Sequence, residues 1–191
     1  MNTPNKLTVL RIIMTPFFMA SLLIPFKHNF LIALLIFIIA SLTDLVDGKM
    51  ARKYNLITDF GKFLDPLADK MLTTAAFLAF ITLKIGTGIV WITFIVLIRE
   101  FLITSLRLIS SGKGVVIAAN IWGKAKTVSQ MSAIIYVLAS QYFLTLFTVS
   151  PVVTGAVNIL TDVVLWISAF LTVMSGIIYV KQNKDFIDPK K

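Results

Sequence analysis

Apolar residues fall in six long runs, at about 9–26, 29–47, 66–85, 88–109, 121–148 and 152–180, with short polar stretches between them. Each run supplies the roughly 17–25 residues that a helix needs to cross the hydrocarbon of a bilayer. The last two are long enough to tilt or to run past it. A lone segment in lipid must pair its own backbone donors and acceptors, and the helix is the form that does so. The pattern therefore predicts an all-α, polytopic membrane protein with six transmembrane helices. No repeat of about 20–50 residues interrupts the series, nor does a low-complexity tract or a long linker, so residues 1–191 read as a single membrane domain.

Composition agrees. Hydrophobic residues make up 58% of the chain and charged residues 14%, against about 45–50% and 25% in soluble domains. A water-soluble globule of this size could not hide that much apolar surface, which excludes a soluble enzyme, a secreted module and a disordered tail. The chain has no cysteine and one histidine, His28, in a turn. Disulfides, thiolate metal sites and thiol nucleophiles are thereby excluded, and His28 is assigned no role.

The formal charge is +9, with 18 lysines and arginines. Only Lys27 and Lys84 fall in the turns after the first and third runs, and the turn after the fifth has none. The rest lie near the N-terminus, around 49–70, around 99–126, or after 180. This alternation places both termini in the cytoplasm. The same residues would attract anionic lipid head groups. They are scattered along helix ends with no module to hold a nucleic acid, so that partner is excluded. Lys6 and Arg11 at the start of the first run suggest a signal peptide, but no small-residue cleavage site follows in the stretch Leu22 to Lys27. A retained span is expected, in keeping with a bacterial inner membrane.

Candidate chemistry is concentrated in one place. Of nine acidic residues, Asp44, Asp47, Asp59, Asp65 and Asp69 all fall between positions 44 and 69. Asp44 and Asp47 stand three apart on one predicted helix, and Asp65 and Asp69 four apart on the next, so each pair shares a helix face. The chain reverses between them, which brings both pairs to the same cytoplasmic level. Taken singly, each aspartate has an ordinary explanation: Asp65 before Pro66 suits an N-cap, Asp59 a solvated loop, and Asp44 and Asp47 ion pairs with Lys49, Arg52 or Lys53. Four carboxylates at matched depth would repel one another unless a cation sits among them. An all-oxygen set suits a hard ion, Mg²⁺ or Mn²⁺, shared with a phosphate. Gly48, Ala51 and Gly61 keep side-chain bulk low beside these carboxylates, and Arg52 offers a planar fork suited to phosphate.

The residues Asp44-Leu45-Val46-Asp47-Gly48-Lys49-Met50-Ala51-Arg52, then eight residues, then Gly61-Lys62-Phe63-Leu64-Asp65-Pro66-Leu67-Ala68-Asp69 resemble the signature of the CDP-alcohol phosphotransferase family, D-x2-D-G-x2-A-R-x8-G-x3-D-x3-D. Every specified position is matched. Further segments resemble the branch of that family whose acceptor is sn-glycerol 3-phosphate: Asn5 to Arg11, Thr43, Asp69-Lys70, Arg99-Glu100-Phe101 with Arg107, and Gly123 to Thr127 with Gln130. The resemblance covers nearly the whole chain and is weakest after about position 131.

This resemblance implies a cytoplasm-facing polar cavity, two divalent metal ions, a homodimer, and transfer of a phosphatidyl group from CDP-diacylglycerol to an alcohol with release of CMP. It also implies roles. Asp44, Asp47, Asp65 and Asp69 would hold Mg²⁺ or Mn²⁺, with Asp69 the general base. Asp47, Gly48, Ala51, Arg52 and Gly61 would cradle the CDP moiety. The acceptor carries a phosphate dianion, so a cationic pocket is expected, with Arg11, Arg107, Lys124 and Lys126 as candidates and Thr8 and Thr127 as hydroxyl donors. Arg99, about two turns from Arg107 on the same helix, would line the cavity. Two other readings fit part of the pattern: a sibling enzyme using serine, inositol phosphate or phosphatidylglycerol as the alcohol, and a small cation or proton-coupled carrier using intramembrane acids. The carrier does not account for the signature or for acids gathered at one membrane edge.

Overall fold

The computed structural model describes residues 2–53, 59–112 and 121–183. Six helices account for nearly all of them: α1 (Thr3–Leu23), α2 (Asn29–Lys53), α3 (Asp59–Thr82), α4 (Ile89–Gly112), α5 (Ile121–Leu146) and α6 (Pro151–Gln182). No strand occurs among the described residues. The helices match the six apolar runs in order, and the main differences fall at polar ends. α1 begins several residues earlier than its run, and α2 continues through Asp47 and Arg52. Hydropathy marks what lipid accepts, whereas helical hydrogen bonding continues wherever the backbone can pair. α3 likewise begins at Asp59, upstream of Asp65. Asp65 is therefore inside a helix, and the N-cap explanation for it does not hold.

Among the described residues, three helical segments are long and apolar enough to cross a membrane: Asn5–Leu23, Ile89–Ser110 and Pro151–Gln182. Shorter apolar helical stretches among the described residues are Asn29–Asp44 in α2 and Lys70–Thr82 in α3. Large apolar side chains such as Phe17, Trp91, Phe101, Leu108, Ile159 and Phe170 lie exposed. On a soluble protein so many would be a liability, whereas lipid is a suitable solvent for them.

The described residues form two compact units, drawn from Met1–Ile85 with Ile134–Val157 and from Gly86–Ala133 with Asn158–Lys191. α5 and α6 each contribute to both. In the first unit α1 packs on α2 and α3. α1 presents Thr8, Arg11, Thr15, Phe18 and Leu22, all buried, at alternating intervals of three and four that trace one helix face. α2 answers with Phe30, Ala33, Phe37 and Ala40. The Phe18 and Phe37 rings lie 5.7 Å apart. On α3 the buried Ala68, Ala75, Ala76 and Ala79 are small enough for close helix approach.

In the second unit Ile103 and Leu106 of α4 pack with Tyr179 and Val180 of α6. The buried stripe of α6 is polar: Thr161, Ser168, Thr172, Ser175 and Tyr179, with Leu165 and Ala169 among them. Its other faces are apolar and exposed at Ile159, Trp166, Phe170 and Ile177. The turn before α4 is held to this helix. Thr87 N–H donates to Asp162 Oδ1 at 2.7 Å, and Trp166 Nε1 donates to the Thr87 carbonyl at 3.1 Å. Gly86 lies in the left-handed region at φ 90°, where a Cβ would meet Leu165 Cδ1 at 2.6 Å. Only glycine takes that place without strain.

Candidate active site

Two groups of buried polar side chains stand out, one in each unit. In the first, the C-terminal part of α2 meets the N-terminal half of α1. Asn5, Thr8, Arg11 and Thr15 are all buried on α1. Arg11 Nη1 lies 2.5 Å from Asp44 Oδ1, with the arginine side chain 3% exposed and the aspartate 39%. A guanidinium so deeply buried needs an anion beside it, and Asp44 supplies one. The pairing follows from register. From Phe18 back to Arg11 and from Phe37 on to Asp44, each antiparallel helix advances two turns, so the ring contact and the ion pair lie on one seam. Thr15 Oγ1 donates to the Arg11 carbonyl at 2.9 Å, next to Pro16 inside the helix. Proline has no N–H to give the helical ladder.

The backbone of α2 carries positions 44 and 47 three apart, and that of α3 carries 65 and 69 four apart. Each pair thus shares a helix face, as the spacing predicts. The side chains of Asp47, Ala51, Arg52, Asp65 and Asp69, together with Gly48, lie outside the described residues, whereas Gly61 is described and buried. Among the described residues no three His, Cys, Asp or Glu side chains gather. The expected donor set fits a hard divalent ion: it is four carboxylates, with no cysteine or histidine in the stretch from 44 to 69.

The second group joins α4, α5 and α6. Arg99 Nη1 donates to Glu100 Oε1 at 3.1 Å, and Arg99 Nη2 donates to Ser175 Oγ at 2.8 Å. Lys126 Nζ is ion-paired to the same Glu100 oxygen. It also donates to Gln130 Oε1 at 3.1 Å. Gln130 Nε2 donates to Thr172 Oγ1 at 3.0 Å, and Thr172 donates to the Ser168 carbonyl at 2.7 Å. The direction of this chain is fixed at its end: the Thr172 proton is committed to a carbonyl, so the hydroxyl accepts from the amide NH₂, and the amide oxygen is turned toward Lys126. Gly176 makes room for the arginine stem, since a Cβ there would lie 3.3 Å from Arg99 Cγ. About two turns further along α4, Arg107 Nε donates to Tyr179 Oη at 3.1 Å, with its guanidinium carbon 5.6 Å from the ring centre.

Of the residues expected to hold an acceptor phosphate, Arg107 and Lys126 fall in this unit beside polar partners. Thr8 and Arg11 are buried on α1 in the other. Lys124 is exposed and makes none of these contacts. Residues two apart on a helix point about 200° apart, so Lys124 and Lys126 occupy different faces. Thr127 is half-buried, and its hydroxyl donates to the Gly123 carbonyl at 3.1 Å. The partners on α6, namely Thr172, Ser175 and Tyr179, were absent from the expected set. Their signal was present as small polar residues recurring at intervals of three and four in an otherwise apolar helix.

A family model described as CDP-alcohol phosphatidyltransferase matches residues 1–174. Over 95% of both chains, the protein is 39% identical to a Bacillus subtilis protein named CDP-diacylglycerol–glycerol-3-phosphate 3-phosphatidyltransferase. Proteins of the same name from Rickettsia bellii, 34% identical over 97% of both chains, and from Haemophilus influenzae, 35% identical over 96% of this chain and 94% of that one, are similar throughout.

Proposed function

The chain belongs to the CDP-alcohol phosphatidyltransferase family, and we propose that it transfers the phosphatidyl group of CDP-diacylglycerol to sn-glycerol 3-phosphate, forming phosphatidylglycerophosphate and releasing CMP. What carries this is the full aspartate signature from Asp44 to Asp69 in a chain alike from end to end to relatives named for that reaction.

The chemistry is a phosphoryl transfer. The acceptor hydroxyl attacks the phosphorus that bears the lipid, a new P–O bond forms, and the bridging P–O bond to CMP breaks. Asp69 takes the proton of the attacking hydroxyl. Arg52, with the small Gly48, Ala51 and Gly61 beside it and Asp47, receives the CDP moiety. Asp44, Asp47, Asp65 and Asp69 would hold Mg²⁺ or Mn²⁺, two ions in all, which when bound screens the negative charge of the diphosphate. Thr8, Arg11, Arg107, Lys124, Lys126 and Thr127 bind the acceptor's phosphate. The two cations with polar partners already around them, Arg107 and Lys126, need the least reorganisation to do so.

All six helices cross the membrane: with 24, 25 and 26 residues, α3, α2 and α5 are as long as the crossing requires at about 1.5 Å per residue. Both termini and a polar cavity face the cytoplasm of a bacterial inner membrane, in keeping with the lysine and arginine distribution. Acyl chains can then stay in the bilayer while CMP leaves to water. Residues 1–191 act as one membrane domain, working as a homodimer among anionic lipids. The test is conversion of radiolabelled glycerol 3-phosphate into chloroform-soluble product by the purified protein. Label that stays in the aqueous phase with CDP-diacylglycerol present would refute the assignment.

A further inference from the structure

Glu100 is a carboxylate among cations that are expected to bind an anion. Its side chain is 14% exposed, next to Arg99 at 11% and Lys126 at 8%. A single oxygen, Oε1, accepts from both cations. Two cations therefore share one carboxylate. Among the described residues, Arg99 Nε is also buried without an acceptor. Were the cluster only a structural brace, that orphan donor would be a steady cost.

Lysine is the cation that most needs holding. Its ammonium is a point charge on a flexible stem, and it loses rotamer freedom when fixed, with no planar fork to preorganise it. Here the ammonium is held from two sides. Glu100 of α4 takes one donor, and Gln130, one turn along α5, takes another, with the amide itself oriented through Thr172 and Ser168 of α6. Arg99 is held similarly between Glu100 and Ser175.

We propose that Glu100 is a positioning residue for the acceptor's phosphate: by binding Lys126 and Arg99 through one oxygen, it presets the cations that receive that anion. This rests on the glycerol phosphate reading given above. Glu100 does not touch the reacting atoms, and its effect should be confined to acceptor binding.

The experiment is a double-mutant cycle in the purified full-length protein, with Glu100→Gln, Lys126→Met and the pair, following CMP release against both substrates. Glu100→Gln should raise KM for glycerol 3-phosphate about tenfold and leave KM for CDP-diacylglycerol and kcat within about threefold. In the Lys126→Met background the same change should have a clearly smaller further effect, the part that passes through Arg99, because residues acting through one group are non-additive. Equal effects on both substrates, an unchanged KM, or additive effects would overturn the proposal. Should Glu100→Gln not fold, Glu100→Asp decides: the shortened carboxylate should raise KM for the acceptor severalfold, and an unchanged value would count against it. Wild-type protein that is inactive with glycerol 3-phosphate but active with serine would remove the underlying reading. Normal wild-type kinetics beside an unaffected Glu100→Gln would remove only the role of Glu100.

Discussion

Arg11 on α1 and Asp44 on α2 form an ion pair 2.5 Å long on the seam where the two helices run antiparallel. One partner was expected among the phosphate-binding cations and the other among the metal-holding carboxylates. Their contact ties the two halves of the proposed chemistry at a single point. Arg11 is 3% exposed and Asp44 39%, so the guanidinium is the member with more to lose when the pair is broken. Replacing it with a neutral side chain of similar length should spare the fold and damage the site. Arg11→Gln should raise KM for glycerol 3-phosphate about tenfold or more, read from initial rates of CMP release. A KM equal to that of the wild type would take Arg11 out of the acceptor site.

Asp69 is assigned the proton of the attacking hydroxyl. Asp69→Asn keeps the shape but cannot accept that proton, and kcat should fall by about 10²–10⁴-fold. Binding of CDP-diacylglycerol, followed by equilibrium binding in detergent, should persist. Near-normal turnover would refute the base assignment.

Arg107 reaches Tyr179 through both an Nε hydrogen bond and the ring face. Tyr179→Phe removes the hydroxyl and leaves the ring. It should raise KM for glycerol 3-phosphate by about two- to fivefold, less than Arg107→Ala, and neither should change KM for CDP-diacylglycerol to the same extent. Equal shifts for both substrates would remove Arg107 from the acceptor site.

Chelation should abolish CMP release, and Mg²⁺ or Mn²⁺ should restore it. Asp44→Asn should raise the metal concentration needed for half-maximal activity, because a neutral amide is a weaker partner for a hard cation. Activity that survives EDTA would contradict the metal assignment.

The turn from Lys84 to Gly88 offers a test of the fold away from the chemistry. Gly86→Ala introduces a Cβ at φ 90°, facing Leu165 Cδ1 at 2.6 Å. A cost of about 1–3 kcal/mol is expected, seen as a lower melting temperature in detergent with kinetic constants preserved at 25 °C. Asp162→Ala, which removes the acceptor for Thr87 N–H, should destabilise through the same turn, so the two changes together should be less than additive.

The sequence made the six helices legible, because lipid forces long apolar runs and those runs dominate the chain. It made the aspartate signature legible as well, since three- and four-residue spacings translate directly into helix faces. Helix ends were less readable: α3 begins at Asp59, upstream of its apolar run, and this overturned the capping explanation for Asp65. Lys124 and Lys126 looked equivalent as neighbouring cations, yet a two-residue step on a helix separates them. The partners of the second cluster come from positions far apart in the chain, Glu100, Gln130 and Ser175 among them. Which of several polar residues meets which depends on how helices dock, and no local spacing encodes that. Asp162 likewise holds the Thr87 backbone 75 residues away in sequence, a contact that no local pattern marks.

The most direct test of the central claim is CMP release by the purified protein in detergent, with CDP-diacylglycerol and Mg²⁺ or Mn²⁺, offering glycerol 3-phosphate, serine and inositol phosphate in turn. The account predicts release with glycerol 3-phosphate alone, abolished by EDTA. Release with serine or inositol phosphate in its place would contradict it.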